Sequence, residues 1–167
     1  MGACSGMLTI VDGSTGERVL QARTLFQEYA ASIGVDLCFQ GFQEELATLP
    51  GNYAPPAGRL LLAFDDDAVA GCVALRPLEP GICEMKRLYV RPAFRGIGVG
   101  CLLVQRIIEE GRRAGYQRMR LDTLPSMEAA IGLYRQFGFS EIPPYRANPV
   151  ESALFLELLL SPVLSDS

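Results

Sequence analysis

Apolar positions change their spacing several times along the chain, and each change marks an element. Leu8 to Val11 is a short apolar run closed by Asp12-Gly13-Ser14, the pattern of a first strand and its turn. From Glu17 to Ile33, the residues Val19, Ala22, Leu25, Phe26, Tyr29 and Ile33 recur at three- and four-residue intervals, which predicts a helix stopped by Gly34. A shorter helix is expected over Phe42 to Leu49, and Pro50-Gly51-Asn52-Tyr53-Ala54-Pro55-Pro56 reads as loop. Strands predicted over 59–64 and 69–75 flank a hairpin turn at Asp65-Asp66-Asp67, and another over 82–90 ends before Pro92. Gly98 to Ala114 carries Leu103, Val104, Ile107 and Ile108 on one helical face. Arg118 to Thr123 alternates like a strand. A helix capped by Ser126 then aligns Ala130, Leu133, Tyr134 and Phe137 before Gly138 stops it, and 153–160 closes as a strand.

This order gives a mixed α/β chain with a strand-helix-strand-helix-strand series in its second half. No repeat or low-complexity tract interrupts it, so residues 1–167 are read as one domain. Hydrophobic residues at 49% and charged residues at 20% are globular proportions. The start of the chain has no basic region followed by an apolar core, and no apolar run reaches the roughly 18 residues of a membrane span. Met1-Gly2-Ala3-Cys4-Ser5 begins like an N-myristoylation signal, but Gly6 stands where Ser or Thr is needed. The expectation is a soluble, cytoplasmic protein that binds neither membrane nor nucleic acid, since the net charge is −4.

Charge distribution adds more than its total. Between Glu84 and Arg120 stand nine basic residues and three acidic ones, which leaves the rest of the chain at −10. A basic middle in an acidic protein suggests one localised anionic ligand; solvated helix faces that happen to cluster are the other reading. Histidine is absent, which removes His-based triads, His general bases and most transition-metal sites. No metal is expected. The five cysteines (Cys4, Cys38, Cys72, Cys83, Cys101) form no C-x-x-C pair, so reduced thiols are the default.

The strongest local signal is Arg95-Gly96-Ile97-Gly98-Val99-Gly100, between a predicted strand and the start of a helix. Glycines let a backbone approach a ligand closely, and the free N–H groups of a helix's first turn favour phosphate oxygens. Arg95 adds a fixed positive charge. A P-loop fails, because Gly100 is followed by Cys101 and Leu102 rather than Lys and Ser or Thr. A dinucleotide fingerprint fails in both registers, since Leu103 and Cys101 occupy its last glycine position. What fits is R-x-x-G-x-G.

That spacing, after a strand and before an amphipathic helix, resembles the pyrophosphate-binding signature of the GNAT N-acetyltransferase superfamily. Glu84-Met85-Lys86-Arg87-Leu88-Tyr89-Val90-Arg91-Pro92 before it is similar to that family too, as is Leu133-Tyr134-x-x-x-Gly138-Phe139 after it. The resemblance implies a central, mostly antiparallel, twisted sheet of about six to seven strands, splayed at its middle strands and flanked by about four helices. It implies acetyl-CoA as co-substrate. Leu88, Tyr89 and Val90 would meet the pantetheine arm through main-chain atoms, and Arg95, Gly96, Ile97, Gly98, Val99, Gly100 and Cys101 would hold the pyrophosphate.

Acetyl transfer to an amine needs a proton acceptor for the amine and a donor for the departing sulfur. By resemblance Glu84 is placed as general base, directly or through water; alternatively it is a strand residue paired with Lys86 or Arg87. A bulge at Lys86-Arg87 would decide which face it takes. Tyr134 matches the family tyrosine that donates to the sulfur, or else packs beside Leu133 and Phe137. Met127 stands where many members have an asparagine for the pantetheine amides. Cys83 and Cys101 leave an acetyl-cysteine route conceivable. The acceptor is expected to be a small-molecule amine entering beside the first two helices and the loop before the last strand. Tyr29, Tyr53 and Tyr145 would line its path, with Phe39, Gln40 and the acids Glu28, Asp36, Glu44 and Glu45 nearby. A protein or peptide acceptor and a non-catalytic acyl-CoA-binding module are the alternatives, and homodimers are common in the family.

Overall fold

The computed structural model describes residues 7–33, 41–148 and 152–160. They form β1 (Leu8–Asp12), α1 (Glu17–Ile33), α2 (Phe42–Thr48), β2 (Arg59–Asp65), β3 (Ala68–Glu79), β4 (Ile82–Val90), α3 (Val99–Arg113), β5 (Arg118–Thr123), α4 (Glu128–Gln136), β6 (Ser140–Ile142) and β7 (Leu154–Leu159), with short 3-10 turns at 51–53 and 92–94. The seven strands make one sheet in the order β1-β2-β3-β4-β5-β7-β6. Every neighbouring pair is antiparallel except β4 and β5, which run parallel. The α/β architecture expected from the sequence is therefore observed. Among the described residues no helix is long and apolar enough to cross a membrane.

The middle strands are buried on both faces, which explains their nearly continuous apolar sequence. Leu60 and Leu62 of β2 join Ala22, Leu25 and Phe26 of α1 and Phe42 and Leu46 of α2 in one core. Leu61 and Ala63, pointing the other way, join Leu103, Val104, Ile107 and Ile108 of α3 in the second. The sheet thus separates a layer of α1 and α2 from a layer of α3 and α4.

Three local expectations change. β3 runs on to Glu79 rather than stopping near Leu75, through Pro77. Its pairing with β2 ends at Leu75, so beyond that point β3 bonds only to β4 and tolerates a residue with no N–H. Ser126 does not cap α4: the cap position is Met127, with no side-chain hydrogen bond. The three-residue strand β6 was not expected. The predicted stop at Gly34 lies outside the described residues.

Two irregularities in β4 shape everything that follows. Cys72 and Ala74 of β3 face Tyr89 and Lys86, so β4 holds one extra residue there, and Arg87 has φ 62°. This is the bulge suggested by consecutive Lys86-Arg87, and it reverses the strand's parity. Met85 before it and Leu88 and Val90 after it all face the α3 layer, while Tyr89 faces the α1 layer. On its other edge, β4 bonds to β5 only over Ile82–Glu84, opposite Arg118–Arg120. Beyond those three residues the strands part.

Candidate active site

The split between β4 and β5 opens into a groove of about 370 Å3 along the N-terminus of α3. Leu88, Tyr89, Val90, Arg95, Gly96, Gly98, Val99, Gly100 and Cys101 line it, together with Met127, Ala130 and Leu133 from the α4 side. Ile97 does not; its side chain is 53% exposed and points outward. Gly96 and Gly98 have φ 84° and 95°, and a Cβ built on either would find no atom within 4 Å. Bare backbone thus borders open space at the head of a 15-residue helix whose first-turn N–H groups need an acceptor. Gly100 is glycine for another reason, since its Cβ would come within 3.2 Å of Leu133. Arg95 donates from Nε to the Val90 carbonyl (2.9 Å), with its guanidinium over the Tyr89 ring. These residues fit a pyrophosphate and its arm.

The basic middle of the sequence does not converge on this groove. Arg87, Arg91, Arg118 and Arg120 are spent on Glu45, Glu28 and Glu157, and of the nine basic residues Arg95 alone lines the groove. The stretch is spread over three elements that face different ways, which its density in sequence conceals.

Deeper in the split lies a smaller cavity of about 40 Å3, walled by Tyr29, Lys86, Arg87, Leu88, Asp122, Thr123, Met127, Tyr134 and Asn148 among others. It shares Tyr29, Leu88 and Met127 with the groove. Tyr134 is 6% exposed, with its ring tilted on Phe139 at 5.7 Å. Burial pushes its pKa above the ordinary tyrosine value, so the phenol keeps its proton. The packed aromatic and the cavity-lining phenol are one residue.

Glu84 sits differently from a general base. It is fully buried, and both carboxylate oxygens are bonded. Arg76 Nη2 lies 2.9 Å from Oε1; the Tyr145 hydroxyl donates to Oε2 at 2.7 Å, and Arg146 pairs with the same oxygen. Burial by itself would raise the Glu84 pKa, but Lys86, Arg146 and the Tyr145 hydroxyl outweigh it and hold it at about 2. A carboxylate so depressed and so fully bonded is a weak acceptor for the proton of an amine near neutral pH. Tyr145, expected beside the acceptor, is thereby occupied and lines neither cavity of the split.

The other acceptor-side residues separate. Tyr29 reaches the split, whereas Tyr53 lines a distinct hollow of about 300 Å3 with Glu44, Glu45, Thr48 and Arg76. Among the described residues the Tyr53 hydroxyl is buried there without a hydrogen-bond partner. The acids expected to hold a cationic amine are largely engaged. Glu28 bonds Arg91 and Tyr89, and Glu45 takes two bonds from Arg87 at 2.8 and 2.9 Å. Phe39, Gln40 and Asp36 lie outside the described residues. Burial also raises the Cys83 thiol to about 12, which removes it as a nucleophile, while Cys101 borders the groove.

Lys86 and Asp122 as cavity residues, and Arg76 and Arg146 as partners of Glu84, were not expected from the sequence. For Lys86 a signal existed, since it lies two residues after Glu84 and so shares its face.

Residues 23–139, more than half of the chain, match the Acetyltransferase (GNAT) family. The chain belongs to that family. An uncharacterised N-acetyltransferase of Schizosaccharomyces pombe is 45% identical over 141 residues, covering 83% of this chain and 86% of that protein. A GNAT-family acetyltransferase from Staphylococcus aureus has the same fold (TM-score 0.76, 17% identity, 93% of this chain and 100% of the other). A GNAT acetyltransferase from Elizabethkingia anophelis, solved with acetyl-CoA bound, aligns over 62% of this chain and 76% of its own (TM-score 0.53, 23% identity). This GNAT protein is accordingly an acyltransferase, an acetyl-CoA-dependent N-acetyltransferase.

Proposed function

We propose that the protein acetylates the primary amine of a small molecule, by direct attack on acetyl-CoA in a ternary complex. The carrying observation is the scale of the inner cavity. About 40 Å3 is room for roughly three waters, enough for an acetyl group meeting an amine, and the cavity shares Tyr29, Leu88 and Met127 with the groove proposed for the donor. Tyr134, protonated and facing that cavity, is the donor to the departing sulfur. The cytoplasm, where reduced thiols persist, is the compartment in keeping with cysteines that form no paired motif. A panel of small amines, lysine peptides and peptides with free N-termini, read by product mass after incubation with acetyl-CoA, tests the acceptor. Acetylated peptides with every small amine untouched would overturn the small-molecule reading.

Tyr134→Phe keeps the packed ring and removes only the donor. Turnover is expected to fall on the order of 10²-fold, while acetyl-CoA still raises the melting temperature as it does for the unaltered protein. Unchanged kcat would remove Tyr134 from the chemistry.

A further inference from the structure

With both oxygens of Glu84 bonded, the deprotonation of the acceptor needs another group, and the floor of the split supplies one. Lys86 is two residues beyond Glu84 on the same face of β4, only 5% exposed, and past the last β4–β5 pairing. That pairing sets Glu84 against Arg120. Carried two residues on, it sets Lys86 opposite Asp122. Both line the inner cavity, and so does Tyr134. Asp122 is itself held from behind, accepting a hydrogen bond from Asn148 Nδ2 at 3.2 Å, with Arg146 at 3.8 Å.

We propose that Lys86 is the proton acceptor for the attacking amine, with Asp122 across the split as the positioning residue that compensates the ammonium so formed. The inference deepens the small-amine reading and rests on it for the identity of the attacking group. In the step, an N–H bond of the acceptor's ammonium breaks and its proton passes to the Lys86 Nζ lone pair. The amine lone pair thus exposed forms the new C–N bond at the thioester carbonyl, the C–S bond breaks, and sulfur takes the Tyr134 proton. The amide nitrogen sheds its remaining extra proton to restore Tyr134, and Lys86 returns its own proton to solvent. One acceptor ammonium and one thioester give one amide, one thiol and one proton.

The surroundings suit this role. Burial lowers the Lys86 pKa and Arg87 lowers it further; Glu84 and Asp122 pull upward, Arg76 downward, and the result is about 8. Tyr29 from α1 and Tyr134 from α4 complete the titratable groups around the same cavity, both with pKa values raised by burial and therefore neutral. A base with pKa near the working pH balances availability against strength, and at pH 7 roughly one Lys86 in ten is neutral.

The direct experiment follows the 13Cε signal of Lys86, assigned by its absence in Lys86→Met, through a pH titration of the full chain with CoA bound. An inflection near pH 8 is expected; one above pH 10 overturns the proposal whether or not an acceptor has been found. With an amine from the panel, the rising limb of kcat/KM should lie near the same pH. Lys86→Met should lose at least tenfold in kcat and regain part of it on addition of trimethylamine, which accepts a proton but cannot be acetylated. Lys86→Arg, charged throughout, should lose activity without a limb near pH 8. A Lys86→Met variant that binds CoA normally and keeps full kcat, or that loses kcat without any rescue, overturns the proposal. An empty panel beside a Lys86 inflection near pH 8 would instead tell against the small-amine reading.

Discussion

Gly98→Val is expected to remove acetyl-CoA binding while leaving a folded protein. Gly98 precedes α3 at φ 95°, a conformation costing a β-branched residue about 1–3 kcal/mol. That strain is expected to lower the melting temperature by several degrees, since a Cβ at this position would meet no atom within 4 Å. The same emptiness is what makes the change severe for the donor. The valine methyls would stand where phosphate oxygens approach the first-turn N–H groups of α3, and the affinity for CoA should drop at least 100-fold. Calorimetric titration with CoA, beside circular dichroism to establish folding, measures both effects. A folded Gly98→Val protein that binds CoA within threefold of the original would mean the glycines serve packing alone.

The second large effect concerns stability. Glu84→Ala leaves Arg76, Arg146 and Lys86 around a buried site without their shared anion, and breaking a buried ion pair from one side costs about 3–5 kcal/mol. The sign with pH follows from the depressed pKa. Glu84 ionises at about 2 in the folded chain against 4.5 ordinarily, so its stabilisation is complete above about pH 4.5 and lost as pH falls toward 2. The loss over that window is about 3 kcal/mol, and chemical denaturation between pH 5 and 2.5 should show it. Glu84→Gln, which has no charge to lose, should flatten that dependence. Well below its melting temperature, Glu84→Gln should also keep kcat within about tenfold. A thousandfold loss of kcat in a stable Glu84→Gln protein would restore Glu84 as the base and dismiss Lys86.

The parts of this site made by contiguous residues could be read from sequence, and those made by distant ones could not. Arg95 to Gly100 carry their own geometry: three glycines, a helix start and a charge within six positions, so the groove was foreseeable. The bulge was too, because Lys86-Arg87 breaks an otherwise alternating strand. The ion pairs of Glu84 are hidden in the sequence, because no local pattern announces its partners. Arg76 reaches it across the β3–β4 pairing, and Tyr145 and Arg146 reach it from beyond β6. Lys86 is hidden as well, because a lysine in a strand suggests solvent, whereas in the fold it is 5% exposed and shares a cavity with Tyr29 of α1 and Tyr134 of α4. The orphaned hydroxyl of Tyr53 is likewise invisible in the sequence, since a missing hydrogen bond is a property of the folded surroundings.

The brevity of the β4–β5 pairing has a mechanical side. Three residues on each strand are the whole hydrogen-bonded seam between the four-stranded portion β1–β4 and the three-stranded portion β5–β7. Without donor, the amides of β5 and β7 are expected to exchange with solvent through local opening that leaves β2 and β3 closed, which hydrogen-exchange mass spectrometry with and without CoA would measure. A pantetheine arm bonded along the unpaired edge of β4 would take the place of the absent rungs and couple the two portions into one cooperative unit. The donor would then be a structural member as well as a reagent, with each turnover loosening and retightening the sheet.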